Sequence, residues 1–329
     1  MPLKTYGVLR GKVIDHRLAT NANPHFQLHV VDDDGTDFRI AVNVESALAP
    51  SELEYLIDSD FHHPILADVA ALPSGWTALE RRAGGVALDF IRANLFDRDD
   101  LRKLPFDVPG PDNDLNEKLA HYVRRAIADA EAEAFTFGER WPTERTVPDK
   151  VFGFLPGNGV HDIHMNQSNV GRFVGDDGVW QDGALLLRFP SQDQWVGVFL
   201  KFQSQGWHTD DATGHTIAGP DAAPDGRIRI VGALVNAVAT PEVEFVTLLN
   251  TTAEAVDLAG WTLVDRDKHA MALDGTIAAG ETLRVQLEPK VVLPNRGGVV
   301  SVLDGAGLKV DGVAYTSEQA AEPGRTIAF

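Results

Sequence analysis

Ile217-Ala218-Gly219-Pro220-Asp221-Ala222-Ala223-Pro224-Asp225-Gly226 is the stretch that decides how this chain is divided. It has neither the alternation of a strand nor the period of a helix, and its Gly, Pro and Asp residues are turn formers. Residues 217–226 therefore read as a linker. Before it, residues 1–216 mix strand-like runs with helical periodicity; after it, residues 227–329 hold short strands alone. The fold class that follows is an α+β, β-rich N-terminal domain joined to an all-β, immunoglobulin-like sandwich.

Downstream of the linker, β-rich runs recur with turn signals between them: Ile228–Val235, Glu244–Asn250, Trp261–Asp265, Glu281–Val285, Gly298–Asp304 and Val310–Tyr315. About a hundred residues of this kind make a two-sheet sandwich. Trp261 is the residue large enough to plug its core, and Gly260 permits the tight turn into that strand.

Upstream, Gly7–Ile14, Phe26–Val31 and Phe38–Val44 alternate as half-buried strands and read as a meander or small barrel, with Asp32-Asp33-Asp34-Gly35 as a solvated turn. Ser51-Glu52-Leu53-Glu54 has the form of a capping box and predicts a short helix through Asp58. Adjacent His62 and His63 point to different sides of any regular element, which assigns them structural or surface roles. Asp114 and Glu117 open a second helix that runs to about Ala134, with Leu115, Leu119, Val123, Ile127 and Ala130 as its buried face. Phe135 through Pro148 reads as a connecting loop, and Ala184–Phe189 and Trp195–Phe202 as buried strands.

The residues able to do chemistry crowd between Gly157 and His215. Gly159-Val160-His161-Asp162-Ile163-His164-Met165-Asn166-Gln167 comes first, then Trp180-Gln181-Asp182-Gly183, then Phe202-Gln203-Ser204-Gln205-Gly206-Trp207-His208-Thr209-Asp210. An ordinary core strand would be filled with Val, Ile and Leu instead. In an extended segment Asp162, His164 and Asn166 share one face and His161 the other, whereas a helix would put His161 and His164 together. Ile163 and Met165 favour the extended form. Adjacent strands would then gather His161, His164, Asp182 and His208 into one cleft, lined by Asp162, Asn166, Gln167, Gln181, Gln205 and Asp210. Asp112, Asn113 and Asp114 are either a helix N-cap or a further polar cluster delivered to that cleft.

Imidazole and carboxylate together suit a divalent zinc, manganese or iron ion, whose bound water is a nucleophile near neutral pH. Without a metal, His164 or His208 would act as general acid and base with Asp162 or Asp182 orienting the ring. A buried polar network with no catalysis is the third reading. No Gly-x-Ser-x-Gly motif or phosphate-binding glycine loop is present in the sequence, which excludes the common serine-hydrolase and nucleotide-kinase patterns.

Composition narrows this further. The 329 residues contain no cysteine, so disulfides and thiolate metal sites are excluded. The formal charge of −19, most of it carried before the linker, weighs against extended nucleic-acid or anionic-membrane docking. Met1–Tyr6 shows no basic region followed by an apolar run, which leads to the expectation of a cytoplasmic protein.

Two family resemblances accompany these readings. Glu244–Asn250, Val256-Asp257-Leu258-Ala259-Gly260-Trp261-Thr262-Leu263, Leu303-Asp304-Gly305 and Val310–Tyr315 resemble the lamin-tail domain, which implies an accessory module able to bind a protein partner. Ala41–Val44, Pro109-Gly110-Pro111-Asp112-Asn113-Asp114-Leu115-Asn116, Gly159–Gln167, Val179–Gly183 and Phe202–Gln205 resemble the YukJ-like bacterial family over residues of about 6–215. Ser168 departs from that family's glycine. The second resemblance implies a fold family and no reaction. The function expected from the residues is a hydrolase, a metal-assisted phosphoesterase acting on a small or exposed phosphoester. The opposing class is a non-catalytic ligand-binding or scaffold protein whose lamin-tail-like domain mediates interactions.

Overall fold

The computed structural model describes residues 6–20, 25–44, 53–79, 95, 102–104, 115–162, 182–202, 226–266, 269–305, 307 and 309–329. Its N-terminal part runs β1 (Tyr6–Arg17), β2 (His25–Val31), β3 (Asp37–Asn43), β4 (Leu53–Asp58), α1 (Ile65–Ala70), β5 (Gly75–Ala78), β6 (Arg102–Leu104), α2 (Leu115–Ala128), β7 (Glu133–Glu144), β8 (Gly157–His161), β9 (Asp182–Phe189) and β10 (Gln194–Phe202). These ten strands form one sheet in the order β5-β1-β2-β3-β8-β7-β9-β10-β4-β6, with a further pairing of β1 to β7. That extra pairing closes β1-β2-β3-β8-β7 into a five-stranded barrel, antiparallel throughout except for the parallel β3–β8 pair. The irregularity between Val13 and Asp15 lets the long β1 bend from one neighbour to the other.

Alternation along the strands fills two cores. Leu9, Phe26, Leu28, Val30, Phe38, Ile40, Val42 and Val160 point into the barrel, where α2 and the inner side of β9–β10 complete the cluster. Phe135, Phe137, Leu186 and Phe199 form the other face with Phe61, Ile65 and Val69 of the α1 region. At about 25 cal/mol per Å2 of apolar area removed from water, burying side chains of this size is the main force holding the barrel closed.

Several sequence expectations change here. Leu53–Asp58 is a strand, not a capped helix: Tyr55 and Ile57 pack on one core and Leu56 on the other, and pairing with β10 and β6 outweighs a local capping pattern. Phe135–Pro148 is a strand through Glu144, because its phenylalanines alternate with Ala134 and Thr136 across a doubly covered sheet. Helix α2 stops at Ala128, where the Asp129 carboxylate accepts the Glu131 amide and turns the chain into β7. Its buried face is Leu115, Leu119, Ala120, Val123 and Ala126, while Ile127 is exposed, since eleven residues complete three helical turns and twelve overshoot them. The meander of β1–β3 and the Asp32 turn stand as read, the Asp32 carboxylate accepting the Asp34 and Thr36 amides. His63 is buried and accepts the Ile65 amide at the start of α1, while His62 is exposed.

From residue 228 onward come β11 (Ile228–Leu234), β12 (Phe245–Asn250), β13 (Val256–Asp257), β14 (Thr262–Asp265), β15 (Ala270–Ala272), β16 (Thr276–Ile277), β17 (Thr282–Gln286), β18 (Gly297–Leu303), β19 (Lys309–Thr316) and β20 (Thr326–Ala328). They make two four-stranded sheets, β17-β12-β11-β20 and β15-β14-β18-β19, that share one core, with β13–β16 as a separate pair. Trp261 is buried in that core, and Gly260 turns into it at φ +80°, a left-handed conformation that glycine adopts without strain. Arg266 forms an ion pair with Asp68 of α1, so the two parts of the chain touch there. Among the described residues no helix is long and apolar enough to cross a membrane.

Candidate functional site

The outer face of the barrel is polar where the interior is apolar. The register aligns His29, Arg39, Gly159 and Trp141 in one row across β2, β3, β8 and β7, and Gln27, Ala41, His161 and Glu139 in the next. Gly159 explains how the first row closes. With no side chain at 159, the Trp141 indole crosses the gap to lie 4.6 Å from the Arg39 guanidinium, and a Cβ there would sit 2.0 Å from Trp141 Cζ2. Arg39 is held from the other sides by Asp149, at 2.6 Å, and by Gln27 Oε1, which accepts its Nη1–H at 3.0 Å.

The segment from Arg145 to Pro156 supplies Asp149 and lays Phe152 and Phe154 against the His29 ring at 5.0 and 4.9 Å. Arg39, Asp149 and Gln27 are all buried, whereas Trp141, His25 and His161 stay half-buried at the rim. There the His161 ring meets Trp141 at 5.1 Å and His25 at 5.8 Å. Burial, followed by the charges of Lys150 and Arg39, pushes the His25 imidazole below its usual range and favours the neutral ring.

Asp162 takes the opposite side. It follows Val160 into the barrel interior, its amide continues the ladder to the Ala41 carbonyl, and its side chain is fully buried. Neither carboxylate oxygen has a hydrogen-bond partner among the described residues. Burial alone pushes this carboxyl well above the usual range, because an ionised form would lose its hydration with nothing in exchange. The extended form of the segment is thus observed through His161, but its polarity is reversed from expectation. Asp162 enters the interior, and His161 lies on the outer, half-open face. These two do not share a cleft.

The wider topology brings the other polar segments to one place. Strand β7 pairs through Glu139–Glu144 with β8 and through Glu133–Phe137 with β9, so β8 ends beside the point where β9 begins. Asp182 pairs with Lys201, Glu54 with Lys201 and with Lys103, and β3 runs parallel to β8 with Ala41 opposite His161. The chain therefore leaves or rejoins the sheet after Asp162, before Asp182 and after Phe202 along a single row at one end of the sheet, and β6 ends on that row at Leu104. His164, Asn166, Gln167, Gln181, Gln205, His208, Asp210, Asp112, Asn113 and Asp114 lie outside the described residues. Among the described residues no group of three or more His, Asp or Glu side chains is placed to hold a metal ion.

Arg39, Gln27, Trp141, Asp149 and His25 were not singled out from sequence. The alternation of His25, Gln27 and His29 with buried Phe26, Leu28 and Val30 was a usable signal; Trp141 was hidden by reading its strand as a loop.

A family described as "Uncharacterized conserved protein (DUF2278)" matches residues 1–214 by its sequence profile. The chain belongs to this family. Within it, the chain is similar to the "Uncharacterized protein YukJ" of Bacillus subtilis (strain 168), at 41% identity over 214 residues, or 64% of this chain and 93% of the relative. The DUF2278 region thus covers the barrel, its attached strands and every candidate site residue, and ends before the two sheets of the C-terminal part.

Proposed function

We propose that this chain is a hydrolase, a metal-assisted phosphoesterase acting on a small or exposed phosphoester. The observation that carries the reading is the single row at which the chain leaves the sheet after Asp162, re-enters at Asp182 and leaves again after Phe202. Three segments rich in His, Asp and carboxamide residues start from that row, which is the condition for His164, Asp182 and His208 to act together, with His161 at its rim. A divalent ion held by imidazole and carboxylate would supply a nucleophilic water. The test is elemental analysis of the purified protein joined to a phosphodiesterase and esterase screen. Bound zinc, manganese or iron with chelator-sensitive turnover supports the reading; a metal-free protein without turnover rejects it.

A second reading, a non-catalytic ligand-binding protein, is favoured by the rigid assembly around Arg39: a buried ion pair, a stacked indole and two imidazoles form a prepared surface that needs no metal. In either case the C-terminal part is proposed to be a lamin-tail-like, immunoglobulin-like accessory domain that engages a protein partner. Its support is the pair of four-stranded sheets around Trp261 and the Asp257-Leu258-Ala259-Gly260-Trp261 segment.

A further inference from the structure

We infer that the outer barrel face at His25, Trp141 and His161 is a binding face for a neutral saccharide. The strand order is the first step. Numbering only the barrel strands, the ring closes as first, second, third, fifth, fourth and back to the first. The third and fifth strands are parallel, and α2 lies between the third and fourth in sequence. This is the Greek-key ring of the oligonucleotide/oligosaccharide-binding barrel, whose ligands lie across the second and third strands and the loops beside them. Here β4, α1, β5 and β6 are inserted between the third strand and the helix.

Fold alone names no ligand. The face itself narrows the choice. Three half-buried rings stand together at its rim, above a buried layer of Arg39, Asp149 and Gln27 that fixes their positions. Exposed Leu18 follows β1, and exposed Val147 and Leu155 lie in the loop between β7 and β8; Arg17 over the Phe152 ring at 5.3 Å joins those two edges. Apolar ring faces and loop edges suit flat, partly apolar sugar rings or bases equally. Charge decides between them.

A groove for single strands tracks phosphates with uncompensated cations. On this face the cations come with their own carboxylates: Arg39 with Asp149, Arg17 with Asp15, His29 with Asp37. Arg145 follows Glu144 directly in the chain, Lys150 lies near enough to His25 to bear on its charge, and the chain as a whole carries a net charge of −19. An uncharged ligand with many hydroxyls meets donors and acceptors in this arrangement and incurs no repulsion.

The experiment is calorimetry and histidine-ring NMR on the full chain with cellohexaose, maltohexaose, chitohexaose and an oligothymidylate. One of the neutral oligosaccharides is expected to bind saturably, with the same affinity within about twofold between about 50 and 500 mM salt, and to shift the His25 and His161 resonances. Trp141→Ala and, separately, His25→Ala should each weaken that binding by about tenfold or more with the native circular dichroism retained. Failure of all three saccharides at about 10 mM, a weak regime by any affinity scale, overturns the inference. So does salt-sensitive binding of the oligothymidylate alone, or saccharide binding that leaves His25 and His161 unmoved. Loss of fold in one variant is resolved by the other variant and by the ring shifts of the parent. Metal content and turnover do not enter this test, so its failure leaves the phosphoesterase reading standing, and the reverse holds.

Discussion

Asp162→Asn should stabilise the protein at alkaline pH and leave it unchanged at acid pH. The carboxyl is 0% exposed and both oxygens lack partners among the described residues, so its folded-state pKa is raised by burial. The folded chain then binds the Asp162 proton more tightly than the unfolded chain does. Stability from this group is fully present below the unfolded pKa and falls as pH rises from there towards the folded value. Asparagine keeps the shape and cannot ionise, so the variant loses this slope. Asparagine is itself polar, so the gain at pH 8 is the ionisation penalty alone, roughly 1–3 kcal/mol for one to two pH units over which only the unfolded chain is deprotonated. For a domain of this size that corresponds to a rise in Tm of roughly 2–10 °C. Urea unfolding of parent and variant at pH 4.5 and pH 8 measures it. A variant that is less stable at pH 8, with an unchanged pH slope, would refute the reasoning, because it would mean an ionised carboxylate held by partners.

Asp149→Ala should cost about 3–5 kcal/mol in urea unfolding, since it strands the buried Arg39 guanidinium, and adding Arg39→Met should recover part of that loss. Gly159→Ala should cost about 1–3 kcal/mol and change the Trp141 emission, because the new methyl would collide with the indole and with the Arg39 carbonyl. Trp261→Ala should destabilise the C-terminal sheets by about 3–5 kcal/mol, read as a lowered thermal transition, and leave ligand binding by the barrel intact. Burial raises Glu244 to about 7, so the stability it governs declines as pH rises from about 4.5 towards 7, and Glu244→Gln should flatten the C-terminal transition across that window.

Much of the strand content was legible: β1, β2 and β3 fall where Gly7–Ile14, Phe26–Val31 and Phe38–Val44 alternate, and β9 and β10, covered on both faces, fall where Ala184–Phe189 and Trp195–Phe202 run almost continuously apolar. Leu53–Asp58 and Glu133–Glu144 also meet both cores over part of their length, but Glu54, Glu139, Arg140 and Pro142 break up their apolar runs, so capping and turn residues dominate the reading. The candidate site was half legible. His161 and Asp162 are unusual residues for a strand, but the side each takes depends on which neighbour β8 pairs with, and a parallel partnership with β3 leaves no mark in the sequence. Arg39 and Asp149 are 110 residues apart, so their meeting is a property of barrel closure alone.

The proposed hydrolytic site unites His161, His164, Asp182 and His208 at the end of the sheet. Titrating Mn2+ into the protein while following assigned histidine-ring resonances tests it most directly, since a paramagnetic ion broadens only the rings near it. Early broadening is expected of His161, His164 and His208, none at exposed His62 until excess ion is present, with loss of the early phase in Asp182→Asn. Uniform broadening of all histidines, or early broadening that survives Asp182→Asn unchanged, would contradict it.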